Sequence, residues 1–237
     1  MSESSVIAQR FKTLALSQPH KLAIRFGMPG QTEDHDFAKF WRRVERVTGH
    51  LQNSFGLKAG QRVAWLGLNH ELQCVTLVAC ARLGLIFMPL NYRLAVAELS
   101  MVLEDATPSL LVYDALHQSA AQSLTVQQAN ELPNISLPSC LPTCLQSCLL
   151  DRLIDQPSSK HIEYPQIAES SDLLLVYTSG TTGLPKGAVH TQAGLMANAQ
   201  ASHEAHVFQD HDIVLSTLPL FHAVSYTHLT LPTTPYV

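Results

Sequence analysis

The sequence is poor in charged side chains, and neither sign of charge dominates. Charged residues make up 14% of the 237 residues, and the formal net charge is −4 at pH 7. A protein that binds nucleic acid or an anionic membrane surface needs a strong positive field, which this composition does not supply. The sequence therefore predicts neither of these partners. Hydrophobic residues make up 46%, which is enough for a sizeable core and excludes a disordered chain.

The sequence also lacks a secretory signal and a long apolar run. Met1 to Ser5 contains no basic region before an apolar block, which a secretory signal has. The best candidate for a membrane span, Cys74 to Leu90, is interrupted by Arg82 and contains Pro89. We therefore expect no transmembrane segment and a cytoplasmic protein.

Cysteine is scarce, and its spacing does not favour a metal site. The five cysteines of a chain without a secretory signal favour free thiols over a disulfide framework. Cys140, Cys144 and Cys148 are spaced by four, but Pro142 lies between the first two. Zinc sites more often use closely spaced cysteine pairs. We interpret the three as small apolar filler and predict no metal-ligating residues in this sequence.

Short apolar runs alternate with helical patterns along most of the chain. The predicted strands are Lys21–Arg25, Arg62–Leu68, Leu85–Leu90, Leu110–Tyr113, Asp172–Tyr177 and Asp212–Ser216. The predicted helices are Ser5–Leu16, a helix capped by Asp36 that extends to Leu51, Asn69–Leu83, Leu94–Asp105, Ala115–Glu131 and Thr191–His203. Strand–helix–strand order with short loops is typical of parallel βαβ units in an α/β fold. The proline-rich residues 132–166 are predicted to form a surface excursion.

One segment combines glycines, hydroxyls and a lysine directly after a predicted strand: Tyr177-Thr-Ser-Gly-Thr-Thr-Gly-Leu-Pro-Lys-Gly187. Its glycines allow close backbone approach to a ligand, and successive N–H groups in such a turn form an anion site. The hydroxyls are further donors, and the lysine is a point charge suited to phosphate. The segment therefore predicts a polyphosphate cradle. Its phosphate-binding residues are predicted to be Thr178, Ser179, Gly180, Thr181, Thr182, Gly183 and Lys186.

This segment differs from the P-loop pattern. That pattern ends in Gly-Lys-Ser/Thr, whereas here Gly187 follows Lys186 and no hydroxyl is in place to hold Mg²⁺. The alternative interpretation is an ordinary flexible surface turn. Eleven specified residues are far more restrictive than a lone Gly-x-Gly, so we favour the cradle.

Tyr177 to Gly187 resembles the phosphate-binding signature of the adenylate-forming superfamily, which includes acyl- and aryl-CoA synthetases, luciferases and the adenylation domains of peptide synthetases. Gly60–Gly67, Ala81–Arg93 and Leu218–His222 resemble further family segments in the family order. The resemblance covers about residues 6–224. It implies layered βαβ units forming part of the N-terminal AMP-binding domain of such an enzyme, truncated.

The resemblance implies an acyl-CoA synthetase, an ATP-dependent acid–thiol ligase. In that family a carboxylate attacks the ATP α-phosphate to give an acyl-adenylate and pyrophosphate, and the thiol of CoA then displaces AMP. Lys186 and His222 are the implied catalytic residues, and His222 would border the acyl site. ATP, CoA and Mg²⁺ are implied, although the sequence names no Mg²⁺ ligand. It indicates neither the acyl specificity nor the oligomeric state.

Two alternatives to the CoA ligase stay open. One is adenylation that feeds a carrier protein, and the other is a non-catalytic fragment that binds nucleotide. The resemblance ends after about Ala223, so residues 225–237 are predicted to be a non-family tail, introduced by a frameshift, an assembly error or a vector. The family's C-terminal domain has no counterpart here. We therefore expect a chain that is inactive alone and that folds poorly, because its unpaired strand edges are exposed.

Overall fold

The computed structural model describes residues 5–28, 31–131, 162–178, 185–209, 212–216 and 218–222. The strands are β1 Leu22–Met28, β2 Gln31–Asp36, β3 Arg62–Leu66, β4 Ile86–Pro89, β5 Leu110–Tyr113, β6 Asp172–Thr178 and β7 Lys186–Thr191. The helices are α1 Val6–Ser17, α2 Phe37–Gly49, α3 Glu71–Leu83, α4 Val96–Ala106, α5 Gln118–Glu131 and α6 Gln192–His206. A π-helical turn, His50–Ser54, extends α2, and a 3₁₀ turn, Ala115–His117, precedes α5. No helix in these ranges is both long and apolar enough to cross a membrane.

Five of the strands form one mixed sheet in the order β5–β3–β4–β6–β7. β5, β3, β4 and β6 are parallel to one another, and β7 returns antiparallel to β6. β1 and β2 form a separate antiparallel hairpin. The predicted α/β class with parallel βαβ units is confirmed.

Helices cover both faces of the five-stranded sheet, because successive side chains of a buried strand point to opposite faces. In β3, Val63 and Trp65 belong to one hydrophobic cluster, which includes residues of α1, α2, α3 and α6. Ala64 and Leu66 belong to the other cluster, with residues of α4 and α5. This three-layer arrangement buries both faces of the sheet. The loops at the amino and carboxyl ends of the strands stay accessible.

The predicted cap of α2 at Asp36 is confirmed, and similar local features mark the ends of two other helices. Asp36 caps α2 by accepting a hydrogen bond from the Lys39 backbone N–H at 2.6 Å. Thr191 caps α6 in the same way through Gly194, at 3.1 Å. Gly84 ends α3 in a left-handed conformation, at φ +65°. One face of α2 and of the turn that extends it is buried in the core, through Phe37, Phe40, Trp41, Val44, Val47 and Leu51.

One predicted strand is wrong, and two strands of the structure were not predicted. The predicted strand Asp212–Ser216 is reduced to a single bridge residue at Val214. β2 was not predicted, because its polar sequence has no apolar alternation. β7 was not predicted either: Lys186–Thr191 pairs with β6 as a strand before α6 begins.

A cluster of charged side chains around His35 joins the β1–β2 hairpin to the helices. His35 has no exposed surface; its Nε2 lies 2.9 Å from Glu33 Oε1, and its Nδ1 lies 3.9 Å from Glu71 Oε1. Arg43 forms an ion pair with Glu71. Burial, and then the charge on Arg43, lower the pKa of His35. The folded protein therefore favours the neutral imidazole.

β7 lies at an edge of the described sheet, with a paired neighbour on one side only. Its first four residues are exposed, and Val189 is 52% exposed. Ile213, Leu215 and Leu218 are also more than half exposed. An edge strand with an exposed apolar side chain is a template for pairing with another chain.

Candidate functional site

The carboxyl ends of β3, β4, β5 and β6 lie at the same edge of the sheet, because these strands are parallel. Ligands of open α/β sheets bind at this edge. Four segments leave the strands there: residues 67–70, residues 90–95, residues 114–117 and the predicted phosphate cradle that follows Thr178. We refer to this region as the carboxyl edge.

The structure describes both ends of the predicted phosphate cradle. Thr178 ends β6, and Lys186 lies directly opposite it at the start of β7. The Thr178 hydroxyl donates to the Lys186 carbonyl oxygen at 3.5 Å, and both residues are exposed. Ser179, Gly180, Thr181, Thr182 and Gly183 lie outside the described residues. The predicted cradle therefore connects the two strands of a hairpin.

Lys186 is free to meet an anion as far as the described residues go, since none of them forms an ion pair with its ammonium group. Its neighbour Gly187 lies across from Tyr177 in the hairpin. A Cβ at Gly187 would lie 2.8 Å from Cδ1 of Leu175 and 3.2 Å from Cζ of Tyr177. Side chains of β6 thus fill the space that a larger residue at position 187 would need.

Tyr177 connects the base of the predicted cradle to helix α4. Its phenol donates a hydrogen bond to the Asp105 carboxylate, near the end of α4. Burial, and then the hydrogen bond and charge of Asp105, raise the pKa of Tyr177 above its ordinary value. The phenol therefore stays protonated and remains a donor. Residue identity alone did not reveal this pair, whose members are 72 positions apart.

His222, the other predicted catalytic residue, is exposed at the same carboxyl edge. Its ring centroid lies 4.5 Å from that of Phe221, which is 5% exposed. Phe221 packs edge to face on Tyr92, with centroids 5.3 Å apart, and Tyr92 follows β4. Among the described residues no hydrogen bond or ion pair joins His222 to Thr178 or Lys186. The structure brings the described site residues, Thr178, Lys186 and His222, to one edge without direct contact between His222 and the other two.

Asp114 organises two of the loops at this edge and was not predicted as a functional residue. Its Oδ2 accepts from the Leu68 backbone N–H at 2.8 Å, and its Oδ1 lies 2.6 Å from Nδ1 of His117. A Cβ at Gly67 would lie 2.8 Å from Asp114 Oδ2. The loops after β3 and β5 are thereby held together. The signal that was available in the sequence was an acidic residue directly after a buried strand.

The described residues contain no cluster of acidic or other metal-binding side chains for Mg²⁺. They contain no group of three or more His, Cys, Asp or Glu side chains placed to hold a metal ion. We therefore assign no described residue to Mg²⁺. Cys74 and Cys80 are buried free thiols of α3, and burial raises the pKa of Cys74 to about 12. Cys140, Cys144 and Cys148 lie outside the described ranges.

Comparison with known proteins identifies the family of this chain. Residues 11–234 match the AMP-binding enzyme family. The chain belongs to this family. The match includes residues 225–234, which sequence reasoning alone assigned to a non-family tail, and the described residues end at 222 in this part of the chain. The foreign origin of the tail therefore stays a prediction.

The curated relatives of this AMP-binding chain include CoA ligases for aromatic acids. The chain is 36% identical over 215 residues to an indoleacetate–CoA ligase of Aromatoleum aromaticum, covering 91% of this chain and 40% of the relative. It is 33% identical over 220 residues to a feruloyl-CoA synthase of Amycolatopsis, covering 92% and 40%. The chain thus spans about two-fifths of the length of these relatives.

A solved structure with the same fold is the O-succinylbenzoate CoA synthetase of Bacillus subtilis, in complex with ATP and a magnesium ion. The two structures superpose with a TM-score of 0.75 at 22% identity, over 96% of this chain and 56% of the other. This likeness confirms the predicted fold of the N-terminal domain of an adenylate-forming enzyme.

Proposed function

We propose that the protein containing this chain is an ATP-dependent acid–CoA ligase and that the carboxyl edge binds its nucleotide and acid. Membership of the AMP-binding enzyme family and the names of its relatives support the reaction class. The observation that most supports the location is the β6–β7 hairpin. It places Thr178 opposite Lys186 at the base of the predicted cradle, at the end of a parallel strand.

The proposed reaction has two steps that balance without a redox partner. A carboxylate oxygen of the acid attacks the α-phosphorus of ATP, and the bond from that phosphorus to the bridging oxygen breaks. Pyrophosphate leaves with the electron pair, and the acid becomes an acyl-adenylate. The sulfur of CoA then attacks the acyl carbon, AMP leaves, and the thiol proton passes to solvent.

The part of this chain in that chemistry is electrostatic. Negative charge accumulates on the departing pyrophosphate, and preorganised donors aimed at such charge lower the barrier. In this proposal the ammonium of Lys186 and the hydroxyl of Thr178 would meet that charge, and the predicted donors among residues 179–183, which lie outside the described residues, would add to them. Mg²⁺, when bound, would neutralise phosphate charge. His222 would border the acid.

The acid that we propose to test first is aromatic. The two curated relatives described above act on indoleacetate and ferulate by name, and both exceed 30% identity. Their names also favour CoA over a carrier protein as the acceptor. ATP and CoA as reactants are the reason to propose a cytoplasmic enzyme. Because the chain spans about two-fifths of its relatives' length, we propose that it does not turn over alone.

The test is release of pyrophosphate from ATP with a panel of acids: indoleacetate, ferulate, and short-, medium- and long-chain fatty acids. It is run on the 237-residue chain and on the complete reading frame of the source gene, with the acyl-CoA product measured in parallel. Activity in the longer protein alone supports the proposal. Turnover by the 237 residues alone contradicts the proposed dependence on further residues, and no turnover in either protein contradicts the proposed function.

A matched pair of variants tests the role of Lys186 in the longer protein. Lys186→Met removes the ammonium and keeps the length of the side chain, so we expect kcat to fall by about 10²–10³-fold. Lys58→Met is the control, because Lys58 is also exposed but precedes β3 at the opposite edge of the sheet. Equal activity of the two variants would contradict the proposed role of Lys186 in phosphate binding.

A further inference from the structure

Asn69 lies at the carboxyl edge, three residues after the end of β3, and its side chain bonds a distant part of the chain. Its Nδ2 donates to the Leu218 carbonyl oxygen at 2.9 Å, and its Oδ1 accepts from the Leu220 backbone N–H at 2.7 Å. The partners are 149 and 151 positions away in sequence. One amide group therefore satisfies a backbone acceptor and a backbone donor on the two sides of Pro219.

The bonded segment, residues 218–222, contains His222 and belongs to no helix or strand. Leu220 and Phe221 are its buried anchors, at 7% and 5% exposure, while Leu218 is 54% exposed. The His222 backbone N–H donates to the Pro219 carbonyl oxygen at 3.2 Å, which closes a tight turn. Buried apolar anchors fix the depth of such a turn, whereas two directional hydrogen bonds also fix its orientation.

We propose that Asn69 is the positioning residue of the acid site: it orients the 218–222 turn so that the His222 ring faces the carboxyl edge. This inference rests on the proposed function, because that function assigns the acid to the neighbourhood of His222. Asn69 itself does not touch the acid. Its effect passes through the turn, so its loss should alter the use of the acid more than the use of ATP.

The chain contains a matched control for this role. Gln52 makes the same pair of bonds with the backbone of Glu163: its Nε2 donates to the carbonyl oxygen at 2.6 Å, and its Oε1 accepts from the N–H at 2.8 Å. Gln52 and Glu163 line a cavity of about 540 Å³ together with Ala59 and Leu83. Those two residues precede β3 and β4, so this clamp lies at the opposite edge of the sheet. Asn69→Leu and Gln52→Met each remove one amide clamp with little change in shape.

The first measurement is amide hydrogen exchange in the complete protein, which reports the clamp whether or not the protein turns over. Asn69→Leu should raise exchange in peptides covering 218–222 by about tenfold, the order expected for the loss of a hydrogen-bonded pair. Peptides covering 162–165 should not change. Gln52→Met should raise exchange in the peptides covering 162–165 and leave the peptides covering 218–222 unchanged. Unaltered exchange at 218–222 in Asn69→Leu, or an equal rise in both regions, would overturn the positioning role.

The second measurement is steady-state kinetics with the acid that the panel identifies. We expect Asn69→Leu to raise the KM for the acid about tenfold and to leave the KM for ATP within about twofold. Asn69→Asp keeps the acceptor for the Leu220 N–H, so its KM for the acid should lie between those of the unvaried protein and Asn69→Leu. Equal rises in both KM values would show a general structural defect and overturn the inference.

The two failures are distinguishable. An unvaried protein that releases no pyrophosphate with any acid refutes the proposed function and with it the link from Asn69 to the acid. An active enzyme whose Asn69→Leu variant has an unchanged KM for the acid refutes the inference and leaves the proposed function standing.

Discussion

Gly187→Ala would place a methyl group at a crowded point of the β6–β7 hairpin. On the present backbone the new Cβ would lie 2.8 Å from Leu175 Cδ1 and 3.2 Å from Tyr177 Cζ. Carbon atoms in contact lie about 3.5–4.0 Å apart, so Leu175 would have to withdraw by about 1 Å. Leu175 is only 6% exposed and is packed within the core cluster that faces α4 and α5, and therefore has little room to move.

The cost of this overpacking follows from the crowding. Extra methyl groups in well-packed cores cost about 1–3 kcal/mol of unfolding free energy. A domain of about 150–250 residues loses about 2–4 °C in Tm for each kcal/mol, so we expect a fall of about 2–12 °C. Tyr177 immediately precedes Thr178 at the base of the predicted cradle. A displacement of about 1 Å at Thr178 should lower the rate of pyrophosphate release by the complete protein by about 10–100-fold.

A double-mutant cycle tests whether this clash is the cause. Leu175→Val removes the terminal carbon that the new methyl group meets. Gly187→Ala/Leu175→Val should therefore be more stable than the sum of the single effects predicts, by more than about 0.5 kcal/mol. Urea unfolding of a monodisperse preparation measures all four proteins. Additivity within about 0.3–0.5 kcal/mol would refute the steric reasoning.

Three further predictions concern pH, association and the base of the cradle. Because burial lowers the pKa of His35, the unfolded chain binds a proton below about pH 6.5 that the folded chain does not bind. The free energy of unfolding should therefore decrease as the pH is lowered, by up to about 1.4 kcal/mol per pH unit. His35→Gln should flatten this slope in urea unfolding between pH 8 and 5, and an unchanged slope would exclude His35 as its source. Val189→Lys on the exposed edge of β7 should reduce aggregation of the 237-residue chain in light scattering. Leu116→Lys should not, because Leu116 is 77% exposed but lies in a 3₁₀ turn outside the sheet. Equal effects of the two substitutions would point to net charge alone. Tyr177→Phe should raise the KM for ATP about fivefold in the complete protein, because the hydrogen bond to Asp105 is lost. Asp105→Asn keeps an acceptor for the phenol and should change this KM less. A larger effect of Asp105→Asn would indicate that the charge of Asp105 matters more than the hydrogen bond.

The parts of the fold that the sequence predicted are those determined by local chemistry. Apolar runs predicted β3, β4, β5 and β6, and Asp36 and Thr191 predicted the starts of two helices. The two strands that were missed, β2 and β7, each pair antiparallel with the strand that precedes them. Their own residues are polar or small, so the pairing partner supplies the conformational preference. In β2 the Arg25–Asp34 ion pair, at 2.5 Å, adds a cross-strand contact that periodicity does not reveal.

The candidate site also has a part that the sequence predicted and a part that it did not. The residue types needed to bind phosphate occur in one continuous stretch, so the sequence alone indicated a cradle between Thr178 and Lys186. The residues that hold the base of that stretch and the His222 turn come from remote positions. Asp105 is 72 positions from Tyr177, and Asn69 is 151 positions from Leu220. The tertiary fold brings each of these pairs into contact, and no local sequence pattern reveals which residues pair.

The carboxyl edge has two anchored parts whose supports are separate. The base of the predicted cradle is tied to α4 through Tyr177 and Asp105, whereas the His222 turn is tied to the loop between β3 and α3 through Asn69. Substitutions that share no partners ordinarily add within about 0.3–0.5 kcal/mol. If the nucleotide and the acid use these two parts, Tyr177→Phe and Asn69→Leu should act on different KM values and should combine additively in kcat/KM. A coupling well above that limit would mean that the two supports move as one unit, and the division of the edge into a nucleotide part and an acid part would then be wrong.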